Sequence, residues 1–288
     1  MDNRTAGDNG TAGIYSEIYK TLASDESLFP ALPETTMRVR EVLQNPNCKL
    51  SDAATLLKAD PALTALIMRV ANSVRFLTAF PPKDLTSAIK RIGLSTTSEL
   101  VTTFSIRASF NSPSGELKEV LLDSYKQSTK IAVLSYYLAD TTSKLNPSKA
   151  MLAGLMQDIA LPPILKCLQK RKDVFNDVEL RTQAIDHLAP LVGALILKKW
   201  GFNKEMIETV RSRKDWMRDP RKKPDLGDII LIARIHSTLG TPEFRNCPAI
   251  TDIPAFHKLP LGKLTPDHSL ELLDNAKEEI AELNRLLA

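Results

Sequence analysis

Three side chains in this sequence could bind a divalent metal, and each lies in a separate apolar segment. Asp158 stands in "AGLMQDIAL" (153–161), which predicts a buried helix, whereas His187 and His236 lie in two later helical patterns. A hydrolytic metal centre needs several His and Asp ligands that converge from different helices and leave one position open for an activated water. The alternative is structural, because a buried carboxylate needs hydrogen-bond partners and isolated histidines commonly pack in cores. The three residues are therefore weak metal candidates.

A second cluster could bind anions or a partner. The segment "RSRKDWMRDPRKKPD" (211–225) carries seven basic and three acidic residues around one tryptophan. Arginines beside an aromatic side chain are typical of surfaces that recognise carboxylates, phosphates or proteins. We therefore regard Arg211, Arg213, Lys214 and Trp216 as candidate contacts with a partner or a small anion. The alternative is a solvated helix end followed by a loop.

Composition excludes several classes of protein. A chain of 288 residues with 43% hydrophobic content can bury a sizeable core. Three widely separated cysteines suggest neither a disulfide framework nor a zinc knuckle, which favours a cytoplasmic location. Apolar runs such as 191–197 are shorter than the roughly 20 residues that span a bilayer. A dispersed net charge of +4 disfavours nucleic-acid binding. The sequence has no glycine-rich phosphate-binding motif, so no nucleotide cofactor is expected.

The elements that must position these residues are predicted to be helices throughout. Apolar residues recur at helical spacing, and Asp60-Pro61 and Asn146-Pro147 each place a capping side chain before a proline that can begin a helix. Later helices are predicted over 147–157, 177–186 and 190–200, among others. The fold class is therefore all-α.

The helical patterns divide the chain into four parts. These are a flexible polar tail (1–13), an N-terminal helical lobe (14–110), a second helical lobe (111–240) and a C-terminal helical extension (241–288). The extension carries an apolar stripe at spacings of three and four, formed by Leu273, Ala276, Ile280, Leu283 and Leu287. Such a stripe predicts a helix that docks on its own domain or forms a homodimer.

Five segments resemble one known family in their order and spacing. They are "LFPALPETTMRVREVL" (28–43), "DPALTALIMRVANS" (60–73), "TSAIKRIGLSTTSEL" (86–100), "AMLAGLMQDIAL" (150–161) and "LVGALILKKWGF" (191–202). Together they resemble the HDOD family, the output domains related to HD-type phosphohydrolases, over roughly residues 22–214. The resemblance implies a two-lobed all-helical fold and a signalling or regulatory role in bacteria, generally without a complete metal site.

Compared with the active relatives, this sequence departs from the metal site at three positions. Gln157 stands where the resemblance implies the histidine of a central His-Asp pair, of which only Asp158 remains. The segment "MIETVRSRKDW" (206–216) has no histidine where a later pair is implied, and Arg234 stands where an aspartate is implied. An amide is a weak metal ligand, and a cationic side chain repels a metal ion. Arg234 is therefore a further candidate for contact with an anion or partner.

We therefore expect a non-catalytic regulatory module that acts through protein or small-anion contacts. The alternative is a metal-dependent phosphohydrolase with an atypical site around Asp158, His187 and His236. A third interpretation, with less support, is nucleic-acid binding through the basic segment. No cofactor and no membrane contact are expected, and the partner is a protein of unknown identity.

Overall fold

The computed structural model describes residues 5–259, except 46, 74, 75, 77, 79, 111–114 and 143, and also residue 281. All regular elements within these residues are helices, which confirms the predicted fold class. The apolar stripe at 273–287 lies outside the described residues, so its docking and homodimerisation remain predictions.

The first part of the chain folds into short helices that pack around one another. They are α1 (Thr5–Ser24), α2 (Glu34–Gln44), α3 (Leu50–Lys58), α4 (Pro61–Ala71), α5 (Leu85–Ile92) and α6 (Leu94–Ile106). Helices α2 to α6 pack mainly against one another, whereas α1 packs against a helix from later in the chain.

The second part is built around one long helix, α7 (Glu116–Thr142). It is followed by α8 (Pro147–Leu155), α9 (Leu161–Leu168), α10 (Lys172–Phe175), α11 (Val178–Lys199), α12 (Lys204–Arg211), α13 (Leu226–Ser237) and α14 (Pro254–Lys258). Helix α7 packs against α8 and α13, and α11 packs against α12 and α1. At Gly154, an added Cβ would lie 2.7 Å from the Cα of Ala132, so the glycine permits the close approach of α8 to α7.

Both predicted cap-and-proline starts are confirmed. The Asp60 carboxylate accepts hydrogen bonds from the backbone N–H groups of Ala62 and Leu63, at 2.9 and 3.1 Å. The Asn146 side chain accepts from the backbone N–H of Lys149 at 3.1 Å. Each cap satisfies donors that the first helical turn leaves unpaired, and is worth about 1 kcal/mol.

Two predicted boundaries are wrong. Helix α11 is continuous through Pro190, where the sequence predicted a break between 186 and 190. An internal proline costs about 3 kcal/mol, but the buried side chains on both sides of it, including Leu188 and Val192, offset that cost. The helix predicted to end at 157 ends instead at Leu155, and a 3-10 turn, Met156–Asp158, follows it.

One hydrophobic core connects the two parts of the chain. Its buried side chains run from Ile18 on α1 to Leu259 after α14. At the junction, Arg40 of α2 donates to the backbone carbonyl of Trp200 at 2.8 Å, and its guanidinium lies 3.8 Å from the ring centroid of Phe202. The Trp200 indole N–H donates in turn to the Pro30 carbonyl at 3.2 Å. The lobe boundaries inferred from the sequence remain a prediction.

One described segment is long and apolar enough to pass a composition test for a membrane span. It is Pro147–Leu168, which comprises α8, the 3-10 turn and α9, and 83% of its most apolar window is buried inside the fold. Its apolar character is therefore accounted for by the core, where it packs against α7.

Candidate functional site

Gln157 and Asp158 lie in the 3-10 turn between α8 and α9, and both are buried. The Gln157 amide Nε2 donates to the backbone carbonyls of Ala153, at 3.1 Å, and Thr209, at 3.4 Å. Two fixed carbonyls therefore orient the amide nitrogen. Its oxygen, Oε1, is buried and has no hydrogen-bond partner within the described part of the chain.

The Asp158 carboxylate is the centre of a buried charge cluster. It accepts hydrogen bonds from Arg213 Nη2, from Arg234 Nη2 at 3.5 Å and from Ser128 Oγ at 3.1 Å. The side chains of Asp158, Arg213 and Arg234 are only 5%, 4% and 7% exposed. Two cations and one hydroxyl thus hold a single anion that is almost removed from water.

The cluster extends outward from Asp158 to the surface through Asp186 on α11. Arg213 Nη1 donates to Asp186 Oδ1 at 3.3 Å, and Lys214 Nζ lies 2.6 and 2.7 Å from the two carboxylate oxygens of Asp186. The charges therefore alternate in sign from interior to surface, and residues from α7, the 3-10 turn, α11, the segment after α12 and α13 take part. We call Ser128, Asp158, Asp186, Arg213, Lys214 and Arg234 the charge cluster.

The charge cluster controls the ionisation of its members. Burial alone would raise the pKa of Asp158, but Arg234, Arg213 and the hydrogen bond from Ser128 outweigh that effect and lower the pKa to about 2. Desolvation lowers the pKa of the Arg234 guanidinium, and Asp158 opposes this change. Asp158 is therefore an anion at neutral pH, and its negative charge is neutralised by Arg213 and Arg234.

The two histidines do not join Asp158 in a metal site. The imidazole of His187 stacks on Tyr15 of α1, with ring centroids 5.0 Å apart. His236 is buried, and its Nδ1 lies 2.8 Å from the carbonyl of Ile232. Burial lowers the pKa of His236, so the ring is neutral at pH 7. Within the part of the chain that the structure describes, no three His, Cys, Asp or Glu residues form a group that could hold a metal.

The residues at the position of the HD-type pair do not fit a divalent cation. A guanidinium keeps its proton at any physiological pH and donates hydrogen bonds without accepting them. Arg213 and Arg234 therefore take up the carboxylate that a metal would need and place positive charge at that position. The donors that remain, an amide and a hydroxyl, are weak ligands for a transition metal.

The HDOD domain family model matches residues 29–216. This chain belongs to the HDOD family. A protein of Treponema pallidum (strain Nichols), whose name gives no function, is 22% identical over an alignment of 196 residues, and the match covers 63% of this chain. The HDOD chain spans 37% of the length of that relative.

Solved structures share the fold of this HDOD chain. One from Shewanella amazonensis SB2B, named provisionally as a metal-dependent phosphohydrolase, is 24% identical with a TM-score of 0.73; the match covers 96% of this chain and all of the other. An HDOD domain protein of unknown function from Geobacter sulfurreducens is 21% identical with a TM-score of 0.61, over 94% and 96% of the two chains. A protein from Marinobacter aquaeolei VT8, named provisionally for signal transduction, is 18% identical with a TM-score of 0.63, over 96% and 68%. At these identities, the likeness establishes the fold alone.

The basic segment of the HDOD chain has an inward and an outward half. Arg213 and Arg234 are buried against Asp158, so the expectation that their side chains contact a partner or an anion is corrected. Lys214 pairs with Asp186, and Arg211 lies at the surface, 3.7 Å from Glu208. Arg211 and Lys214 are both exposed, so of the four candidate basic residues only these two can be reached from solvent.

Trp216 is half-buried and packs against the core, so only part of the indole can contact a partner. Arg218 also faces inward, where it donates to both carboxylate oxygens of Asp225, at 2.7 and 2.9 Å, and to Asp228 at 3.0 Å. Residues 221–223 (Arg-Lys-Lys) are exposed. Met217, four residues before Arg221 in the same segment, is 64% exposed. We call Met217, Arg221, Lys222 and Lys223 the basic surface.

Sequence reasoning missed two members of the charge cluster. Asp186 lies directly before His187 on α11, and Ser128 lies in the middle of α7, 30 residues before Asp158. Neither has a sequence signal of its own. The opposite charges of Asp186 and the basic segment were the only available hint, and their contact depends on how α11 packs against α12.

Proposed function

We propose that this HDOD chain is a non-catalytic regulatory module that transmits a signal through contacts with a protein partner. The observation that carries the proposal is the ion pairing of Asp158 with Arg213 and Arg234. In a hydrolytic centre, a carboxylate at this position would hold a metal that lowers the pKa of a bound water. Here the same carboxylate neutralises two guanidiniums and links helices.

In the proposed module, the exposed basic surface makes the contact with the partner. The residues of the charge cluster are held by one another, and three of them, Asp158, Arg213 and Arg234, are buried. The exposed basic surface is formed by the same segment that supplies Arg213 to that interior. A partner that carries acidic side chains and one apolar anchor point would complement this surface, since complementary charges speed encounter and select the partner.

The first test concerns catalysis. The purified chain is incubated with p-nitrophenyl phosphate and bis-p-nitrophenyl phosphate, with and without added Mn²⁺ or Mg²⁺. We expect turnover at the level of a buffer blank and of the Asp158→Ala variant, because none of the described residues forms a group that could hold a metal and activate its bound water. Turnover that requires metal and disappears in Asp158→Ala would refute the proposal.

The second test concerns the metal itself. The Gln157→His variant restores an imidazole next to Asp158 but leaves both guanidiniums in place. We expect no stoichiometric Mn²⁺ binding by isothermal titration calorimetry, for wild type and variant alike, because Arg213 and Arg234 repel the cation. One equivalent of bound Mn²⁺ in wild type, released by a chelator, would show that the charge cluster opens to admit a metal and would contradict a non-metal role.

A further inference from the structure

Glu99 lies on α6, where the first part of the chain packs against α8 of the second part. The Glu99 Oε1 accepts a hydrogen bond from Ser95 Oγ at 3.2 Å. The other carboxylate oxygen, Oε2, is buried and has no hydrogen-bond partner within the described part of the chain. Burial of an oxygen without a partner costs the charged carboxylate more free energy than the neutral acid. The packing around Glu99 therefore favours a bound proton.

Lys149 of α8 acts on Glu99 but already has another partner. Its ammonium attracts the Glu99 carboxylate electrostatically, while its Nζ lies 2.5 Å from Glu205 Oε2 on α12. The side chains of Lys149 and Glu205 are 29% and 37% exposed, so both are partly removed from water. Two carboxylates on different helices therefore attract the same ammonium. Burial raises the pKa of Glu99 to about 7, and the Ser95 hydrogen bond and Lys149 oppose that rise.

Other charged side chains on the elements that pack against α6 are directed elsewhere. Arg40 of α2 donates to the Trp200 carbonyl at 2.8 Å, and Arg91 of α5 donates to the carbonyls of Ala71 and Phe80. The remaining charged residues of α2, α4, α5 and the 3-10 helix after α6 are exposed; they are Glu34, Arg38, Glu41, Arg69, Lys90 and Arg107. Among the described residues, the cation that acts on Glu99 from a facing helix is therefore Lys149.

We propose that Glu99 is a proton-operated switch at the contact of α6 with α8. With the proton bound, Glu99 packs as a neutral acid, and Lys149 stays on Glu205 and links α8 to α12. When the proton leaves to solvent, the buried anion draws the Lys149 ammonium away from Glu205, so that α8 is linked to α6 instead. The switch needs no ligand, cofactor or partner.

Carboxyl-carbon NMR of the full-length chain, recorded between about pH 4 and pH 9, tests the ionisation. The Glu99 signal, assigned by its absence in Glu99→Gln, should titrate with a midpoint of about 7, whereas an ordinary glutamate titrates near 4.3. Lys149→Met should raise the midpoint because it removes the attracting cation. Glu205→Gln should lower it because it frees Lys149. The control, Lys172→Met, removes an exposed cation from α10 and should leave the midpoint unchanged.

The dependence of stability on pH gives a second measurement. The pKa of Glu99 is higher in the folded than in the unfolded chain, so its contribution to stability is fully present below about pH 4 and is lost as the pH rises through 7. The unfolding equilibrium constant of wild type, divided by that of Glu99→Gln, should therefore rise about tenfold or more between pH 5 and pH 8 in urea denaturation. Circular dichroism verifies that each variant folds.

Crystal structures at about pH 5.5 and pH 8.5 test the transfer of the lysine itself. Lys149 Nζ should lie within about 4 Å of a Glu205 oxygen at the lower pH and of a Glu99 oxygen at the higher pH. This measurement separates a switch from a buried acid that merely titrates, because the latter leaves the Lys149 pair unchanged.

Three results would overturn the proposal. They are a Glu99 midpoint near 4.3, Lys149→Met and Glu205→Gln midpoints that shift in the same direction or do not shift, and a Lys149–Glu205 pair that persists at the higher pH. None of these measurements uses a partner or a substrate, so this inference and the proposed function fail independently.

Discussion

Arg213 and Arg221 belong to one basic segment, but their surroundings give them opposite physical roles. Arg213 is buried and paired with Asp158, so its charge is desolvated and is compensated by the carboxylate. Arg221 is exposed, and its charge is screened by solvent and salt. Breaking a buried pair leaves an uncompensated charge in the interior, whereas an exposed charge can be changed at little cost. The same residue type therefore stabilises the fold at one position and is free to bind at the other.

The largest expected effect comes from removing the centre of the charge cluster. Asp158→Ala leaves the guanidiniums of Arg213 and Arg234 buried without their shared anion, and we expect the free energy of unfolding to fall by about 3–5 kcal/mol. Urea denaturation followed by circular dichroism measures this loss. The exposed Asp52→Ala is the control and should change stability by less than about 0.5 kcal/mol. An Asp158→Ala variant as stable as wild type would mean that the buried pair is not a stabilising contact.

Acid pH provides an intermediate effect with a defined direction. The pKa of Asp158 is about 2 in the folded protein and near 3.9 in an unfolded chain. Ionised Asp158 therefore contributes stability that is fully present above about pH 5 and is lost as the pH falls through 2, by about 2–3 kcal/mol in total. Unfolding of wild type and Asp158→Asn is compared between pH 5 and pH 2. The difference in stability should shrink as the pH falls, and a difference that stays constant would refute the assigned ionisation.

The smallest effect on stability is expected at the basic surface. Changing Arg221, Lys222 and Lys223 to Glu should alter the free energy of unfolding by no more than about 0.5 kcal/mol, because these side chains are exposed. The same variant should lose binding to a protein partner, measured by quantitative pull-down against wild type and against a control in which three exposed lysines elsewhere, Lys49, Lys83 and Lys90, are changed to Glu. Unchanged partner recovery would remove the basic surface from the proposed function. A steep salt dependence of binding to random DNA would favour the nucleic-acid interpretation.

Local features were predicted well because their causes are local. Asp60 and Asn146 cap helices in the structure since a capping side chain acts on backbone N–H groups two or three residues away. The continuous α11 shows where this reasoning fails. Pro190 has the local signature of a helix boundary. The helix nevertheless continues through it, because neighbouring side chains are buried against other helices.

The site was predicted in part for the same reason. The substitution of glutamine at 157 and the survival of Asp158 could be seen in the sequence once the family resemblance was recognised. The pairing of Asp158 with two arginines could not be predicted, because Arg213 and Arg234 lie 55 and 76 residues away from it along the chain. Both arginines were expected to face a partner, since a basic residue in a charged segment is usually solvated.

The sequence by itself determined the helical class, the caps, the family and the absence of a histidine at the central pair, all of which depend on residue type and short-range spacing. Only the tertiary structure decided which charges are buried. That outcome depends on how α7, α11 and α13 pack around the 3-10 turn, because their packing brings oppositely charged residues together and removes them from water. The division of one basic segment into a structural interior and an exposed surface is therefore a property of the packed helices.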